Sequence, residues 1–187
     1  AKKVLDKAVK YERFGLALGV ARLLSHSYAN IGNYGAMDEI NALEDKLLAQ
    51  QLEYMQLVHL RDRFMAPVMN RSGYETLMDV ADNPLFKADP STFMSWHARH
   101  CWNEMSQFYY QYVDRNPQKS LEHAQNMVTL FNRSPYFRAI LPSGYFNAYA
   151  NICVRQYTMG NYREALTAVN QLIEKSQGPI PAVSPDL

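Results

Sequence analysis

The densest group of side chains able to do chemistry is His97-Ala98-Arg99-His100-Cys101. Two imidazoles and a thiol within five positions suggest a metal box. A structural zinc site, however, needs four convergent ligands, and the chain's other cysteine, Cys153, lies 52 residues further on. The carboxylates Glu39, Glu44 and Asp45, and the pair Asp79 and Asp82, could be imagined as acid–base couples. No nucleophile motif and no Gly-rich phosphate loop accompanies them. They read as solvated helix faces and caps. The chemistry-bearing residues therefore predict neither catalysis nor a metal or cofactor, and both cysteines read as reduced, buried packing thiols.

Aromatic density is the stronger signal. Phe93, Trp96, Trp102, Phe108, Tyr109, Tyr110 and Tyr112 crowd one stretch. Within it Met94, His97, Cys101, Met105, Phe108 and Tyr112 fall on one helical stripe, as a buried face between packed helices would.

The elements that must carry these residues are helices. Residues 36–66 contain no Gly or Pro, and Ile40, Leu43, Leu47, Leu48, Leu52, Met55 and Val58 recur every three to four positions. This run is one long helix or two with an unmarked break. Asn70-Arg71-Ser72-Gly73 ends it, and Tyr74 to Ala81 predicts a short helix. Ser91 is expected to cap a helix reaching about Val113, and Pro117 to open the next. No stretch alternates with period two long enough for a strand. The chain is expected to be all-α.

Two hinges repeat almost word for word: Ile31-Gly32-Asn33-Tyr34 and Met159-Gly160-Asn161-Tyr162. Around them, Ala21, Ser25, Tyr28, Gly32 and Tyr34, and Tyr149, Cys153, Tyr157, Gly160, Tyr162 and Ala165, follow one pattern. It runs large residue, small residue, aromatic, turn glycine, aromatic, alanine. In this the chain resembles the tetratricopeptide repeat family. The resemblance implies an α-α superhelix of stacked antiparallel hairpins at about 14–48, 91–133 and 143–177. Irregular helices would fill 49–82, all within one domain over 1–178, and 179–187 would form a linker-like tail. Asn83-Pro84-Leu85-Phe86 matches Ser134-Pro135-Tyr136-Phe137 at 51 residues, and Cys101 matches Cys153 at 52. Beyond the turn, Leu121, Ala124 and Val128 match Tyr162, Ala165 and Val169 at 41. The mismatch predicts about 11 extra residues in the middle hairpin, around Tyr109 to Pro117.

In such arrays the first helix of each hairpin faces a concave groove. Carried over, the resemblance implies a groove lined by Arg22, His26, Ala29 and Asn30 at one end. Ala98, Trp102, Met105, Ser106 and Tyr109 would lie in the middle, and Ala150, Val154, Tyr157 and Thr158 at the far end. Its polar half would be Arg22, His26 and Asn30, and its apolar half Trp102, Met105, Tyr109, Val154 and Tyr157. The implied function is a non-enzymatic module binding a peptide or partner protein. The alternative is a peptide- or ligand-sensing segment of a larger bacterial regulator. With Lys+Arg 19 against Asp+Glu 18 the chain is near-neutral, so no electrostatic footprint for nucleic acid is visible. Asp6, Glu12 and Arg22 break up the basic and apolar stretches that would make a signal peptide, and no apolar run is long enough to span a bilayer. The expected location is cytoplasmic. The chain begins inside a helical pattern and reads as a piece of a longer protein. The sequence leaves the oligomeric state open.

Overall fold

The computed structural model describes residues 1–70 and 80–177; Asp79, most of the helix expected at 74–81, and the 179–187 tail lie outside them. The described residues are helical throughout, with no strand. In order they form α1 (Lys2–Lys10), α2 (Phe14–Asn30), α3 (Tyr34–Asn70), α4 (Pro84–Lys87), a 3-10 turn (Pro90–Thr92), α5 (Trp96–Tyr112), α6 (Pro117–Asn132), α7 (Pro135–Ile140), α8 (Pro142–Thr158) and α9 (Tyr162–Gln177).

Local chemistry sets the boundaries. Asn83, Asp89 and Asn116 each precede a proline, and each side chain accepts a backbone N–H of the following turn. This is N-capping with Pro at the first helical position. Ser95, and not the expected Ser91, caps α5: its Oγ accepts from Ala98 N at 3.0 Å. Ser91 sits in the 3-10 turn, where Asp89 is the cap.

The three principal hairpins are α2/α3, α5/α6 and α8/α9. Their first helices have the same length, 17 residues. Each turn holds one residue in the left-handed region: Gly32 at φ +70°, Arg115 at +51° and Gly160 at +80°. At the two glycines the helix closes with a Schellman-type bond, Asn33 N to Tyr28 O and Asn161 N to Gln156 O. Partners across a hairpin step in opposite directions, Arg22 with Glu44 and Ser25 with Asn41, then Asn103 with His123 and Gln107 with Ser120.

Two expectations are overturned. The middle hairpin has no insertion, because α5 matches α8 at 17 residues and α6 matches α9 at 16. The real difference lies upstream. Residues 88–95 separate α4 from α5, whereas Leu141 alone separates α7 from α8. Nor do irregular helices begin at 49. The α3 helix runs unbroken for 37 residues, about 55 Å at 1.5 Å per residue, and admits Pro67 only within a turn of its end.

The long α3 changes the stacking. Gln50 Nε2 donates to Met94 O at 3.1 Å, Tyr54 lies 5.1 Å from His97, Arg61 Nη1 is 3.3 Å from Glu104 Oε2, and Phe64 lies 6.4 Å from Tyr109. Both members of these pairs advance together, so α3 and α5 run parallel. A uniform stack of hairpins would set them antiparallel. Their contact forms the central core of Leu57, Leu60, Phe64, Phe93, Cys101, Trp102 and Met105. Leu5, Phe14, Ala17, Ala21 and Leu47 form the core at one end, and Trp96, Met127, Phe131, Phe137 and Tyr145 the core at the other.

Contacts also reach past nearest neighbours. Tyr11 stacks on Tyr136 at 4.0 Å, and Arg13 Nε donates to the Tyr136 hydroxyl at 2.9 Å. At the same elbow Glu12 (φ 51°) accepts from the backbone N–H groups of Trp96 at 2.6 Å and His97 at 3.1 Å. A carboxylate from the α1/α2 elbow thus completes the N-terminus of α5.

Candidate functional site

Helix α6 packs against both α5 and α8. Phe131 and Asn132 meet Tyr145 at the start of α8, so α8 runs opposite to α6 and alongside α5. The two approach closely at Gly144, where a Cβ would lie 3.8 Å from His100 Nε2 and 3.2 Å from the Phe131 ring. A side chain here would require the Phe131 ring of α6 to give by a few tenths of an ångström. Beyond that point a cleft of about 190 Å³ separates them. Its α5 wall is His100, Glu104, Gln107 and Phe108. Its α8 wall includes Asn147, Ala150 and Asn151, and Met127 of α6 lies at its base.

The cleft wall holds one polar side chain without a partner among the described residues, and two more lie one helical turn beyond the cleft. Gln107 has 0% exposure, yet neither its Nε2 nor its Oε1 has a hydrogen-bond partner. One turn further along α5, Gln111 Oε1 is buried and unpartnered as well. One turn beyond Asn151 on α8, Arg155 is 8% exposed with an unpartnered Nε. Leaving a buried amide unpaired costs ~1–3 kcal/mol per group. Ser106 Oγ and Arg138 Nε share the condition elsewhere in the fold.

Neighbouring charges are fixed. Glu104 is engaged by Arg61 of α3. His100 lies flat against Trp96 at 5.0 Å and edge-on to Phe131 at 5.4 Å, and burial, then Arg61, lowers its pKa to about 4. Its imidazole is neutral at pH 7. His97, against Tyr54 and Phe137, is lowered to about 4 by burial, with His100 and Arg13 adding to the effect. Burial raises the Cys101 thiol to about 12. The three side chains of the apparent metal box are thus spread over separate packing contacts, and among the described residues no three potential ligands converge. No family model, curated protein or solved structure matches this chain.

Two larger hollows lack the cleft's unpaired buried groups. One of about 650 Å³ lies along α1 and α2, lined by Val4, Ala8, Phe14 and Leu16 with lysines at its edge. Another of about 410 Å³ lies beside α4, with Trp102 and Tyr109 in its wall.

The groove residues expected from the sequence are not gathered in one place. Trp102 and Met105 are corrected to core: Trp102 is 8% exposed, its Nε1 donates to Phe86 O at 3.1 Å, and Met105 has no exposure. Tyr109 is half-buried against Phe86. Arg22, His26 and Asn30 are exposed on α2, with Arg22 Nε held by Glu44 at 2.7 Å. Val154 and Tyr157 are exposed on α8, and Tyr157 lies against Tyr162. The proposed stripe of Met94, His97, Cys101, Met105, Phe108 and Tyr112 is buried only in its middle; Met94 and Tyr112 are exposed. Cys153 is half-buried, unlike Cys101. Sequence reasoning missed Glu104, Gln107, Asn147 and Asn151, and weighed His100 only as part of an apparent metal box. Their signal was present as a polar run, His100-Glu104-Gln107-Gln111, at helical spacing inside an aromatic helix.

Among the described residues no helix is long and apolar enough to cross a membrane. The terminal helix α9 buries Ala165 and Ala168 while exposing Tyr162, Leu166, Val169 and Ile173.

Proposed function

We propose that this chain is a non-enzymatic binding module that receives an extended segment of a partner protein in the cleft between α5 and α8. The observation that carries the reading is Gln107, wholly buried in the cleft wall with both halves of its amide unused. A primary amide presents one acceptor and two donors, which complement the C=O and N–H of a peptide unit. Asn147 and Asn151, one turn apart on the facing wall, offer the same chemistry. At about 190 Å³ the cleft is smaller than the ~300–1,000 Å³ typical of small-molecule sites. It suits a side chain and its flanking backbone.

Three 17-residue first helices, each ending in a left-handed turn residue, support a tetratricopeptide-like scaffold. The resemblance is closest in α5–α9, because the parallel α3/α5 pair departs from it. Binding is favoured over catalysis because the cleft histidine is held neutral and stacked on Trp96. Two free cysteines suit a reducing, cytoplasmic setting. A second reading, a sensing segment within a larger bacterial regulator, draws support from the Tyr11–Tyr136 and Arg13–Tyr136 contacts. They tie the α1/α2 elbow to the connector just before α8, so a shift of α8 on binding would reach the first helices.

The test is an immobilised library of random nonapeptides probed with the full chain. Binders should shift the side-chain amide resonances of Gln107, Asn147 and Asn151. Gln107→Leu and Asn151→Leu should each weaken binding about tenfold, as loss of a buried hydrogen-bonding partner does. Binders that shift only residues around Phe14 or Trp102 would move the site to another hollow and reject this one.

A further inference from the structure

Beyond the cleft lies a charge with no ion-pair partner among the described residues. Arg155 is nine-tenths buried, yet the ion pairs among the described residues are Arg22–Glu44, Arg61–Asp62, Arg61–Glu104 and Lys87–Asp82. None involves Arg155. The neighbour acting on its charge is Tyr112, near the end of α5. A guanidinium does not shed its proton in a protein, so burial cannot be relieved by neutralisation. A buried charge is normally paired or bound to a counter-ion. Arg155 stands about 6 Å along α8 from Asn151, four residues at 1.5 Å each, and so extends the amide wall of the cleft. On α5, one turn past Gln107, Gln111 has a buried, unpartnered Oε1 as well.

We propose that Arg155 is the anchor for a single carboxylate, an Asp or Glu side chain of the segment bound in the cleft. This rests on the reading of the cleft as a peptide site and names the residue class at one position of that peptide. A guanidinium matches a carboxylate with two parallel N–H···O bonds. One cation balances one negative charge, whereas a dianion such as a phosphoester would leave one charge uncompensated. The partner would thus carry an acidic residue whose neighbouring peptide units lie along Gln107 and Asn151.

The experiment uses the same nonapeptide library built as matched pairs, Glu against Gln and Asp against Asn, with a phosphoserine version of each binder. Wild-type protein should prefer the acidic member at least about tenfold, the scale of a buried charge pair broken on one side. Arg155→Gln should bind both members alike, and Arg155→Lys should restore part of the preference. Equal wild-type binding of both members overturns the carboxylate anchor while the cleft reading stands. Tighter binding of the phosphoserine peptide also overturns it, and failure to bind any peptide overturns both. A ligand-free readout separates anchoring from structure. Arg155→Met should leave the melting temperature unchanged or raised, because an unpaired charge is removed. A clear fall would show that Arg155 supports the fold and would overturn the assignment.

Discussion

Helix α5 has two flanks that share a geometry and differ in content. On one, α3 runs parallel to it, and Leu57, Leu60 and Phe64 close against Ala98, Cys101 and Met105 with almost no exposure. On the other, α8 also runs alongside, but α6 lies between them, and the edge carries Gln107, Gln111 and Arg155 with unpartnered atoms. The first flank is filled; the second is held open. Apolar burial stabilises by roughly 25 cal/mol per Å², whereas unpaired buried amides are a cost. The difference assigns stability to the α3 side and recognition to the α8 side. Proteins commonly give up stability at sites where a ligand is to be received.

The largest expected effect lies on the filled flank. Phe64 has no exposure and lies against Tyr109, so Phe64→Ala should destabilise by ~3–5 kcal/mol through lost burial and a cavity. Urea denaturation measures it. A cost under ~1 kcal/mol would mean the α3/α5 interface is loose and the contrast between flanks is false.

Acidification probes both flanks together. His97 faces α3, His100 the cleft and His123 the Trp102 ring, and burial leads in lowering each to about 4 from 6.5. Between those values the unfolded chain binds protons that the folded chain refuses. Their contribution to stability is therefore present above pH 6.5 and lost as pH falls toward about 4. Glu12 has the opposite sign: burial raises its pKa, so its contribution is present below 4.5 and lost as pH rises through the folded value. Three groups outweigh one, and the melting temperature should fall steadily over that window. His100→Gln should flatten the slope by about one proton's worth. An unchanged melting temperature from pH 7 to 4.5 would mean that these imidazoles charge freely.

Much of the hairpin framework was legible because it rests on local chemistry. Gly32 and Gly160 announce left-handed turns, and Asn116-Pro117 announces a capped start. The supposed insertion came from a true local match read too far. Pro84-Leu85-Phe86 and Pro135-Tyr136-Phe137 do open equivalent short helices, each burying its phenylalanine. The connections after them differ in length, so the offset does not carry into α5. The parallel α3/α5 pairing was illegible because it depends on how the chain returns between α3 and α5, which no local signal states. The cleft was missed because aromatic residues drew attention to Trp102 and Met105. The face that borders the cleft is the neighbouring one, with His100, Glu104 and Gln107.

The open flank should respond in the opposite sense from the filled one. Gln107→Leu removes the two unpartnered polar atoms and leaves an apolar side chain one heavy atom smaller. It should leave stability unchanged or raise it by up to ~1–3 kcal/mol, while peptide binding weakens about tenfold. Destabilisation on the scale of Phe64→Ala would mean that the amide is satisfied in solution, for instance by bound water, and that the two flanks differ less than their packing indicates.

The smallest effect is expected where α5 ends. Arg115 holds φ at 51° in the position that Gly32 and Gly160 occupy in the other hairpins. A non-glycine residue there costs ~1–2 kcal/mol through its Cβ, and Arg115 is exposed. Arg115→Gly removes that strain but gives the unfolded chain more freedom, which takes back ~0.4–1 kcal/mol. The net gain should be on the order of 0.5–1 kcal/mol, visible as a higher urea midpoint with an unchanged slope. Gly160→Ala should do the reverse, losing ~1 kcal/mol or more at the equivalent turn. Because the turn touches neither flank of α5, peptide binding should be unaltered in Arg115→Gly. A change in binding would show that the angle between α5 and α6 sets the width of the cleft, so that the turn, and not only the amide wall, determines what the open flank accepts.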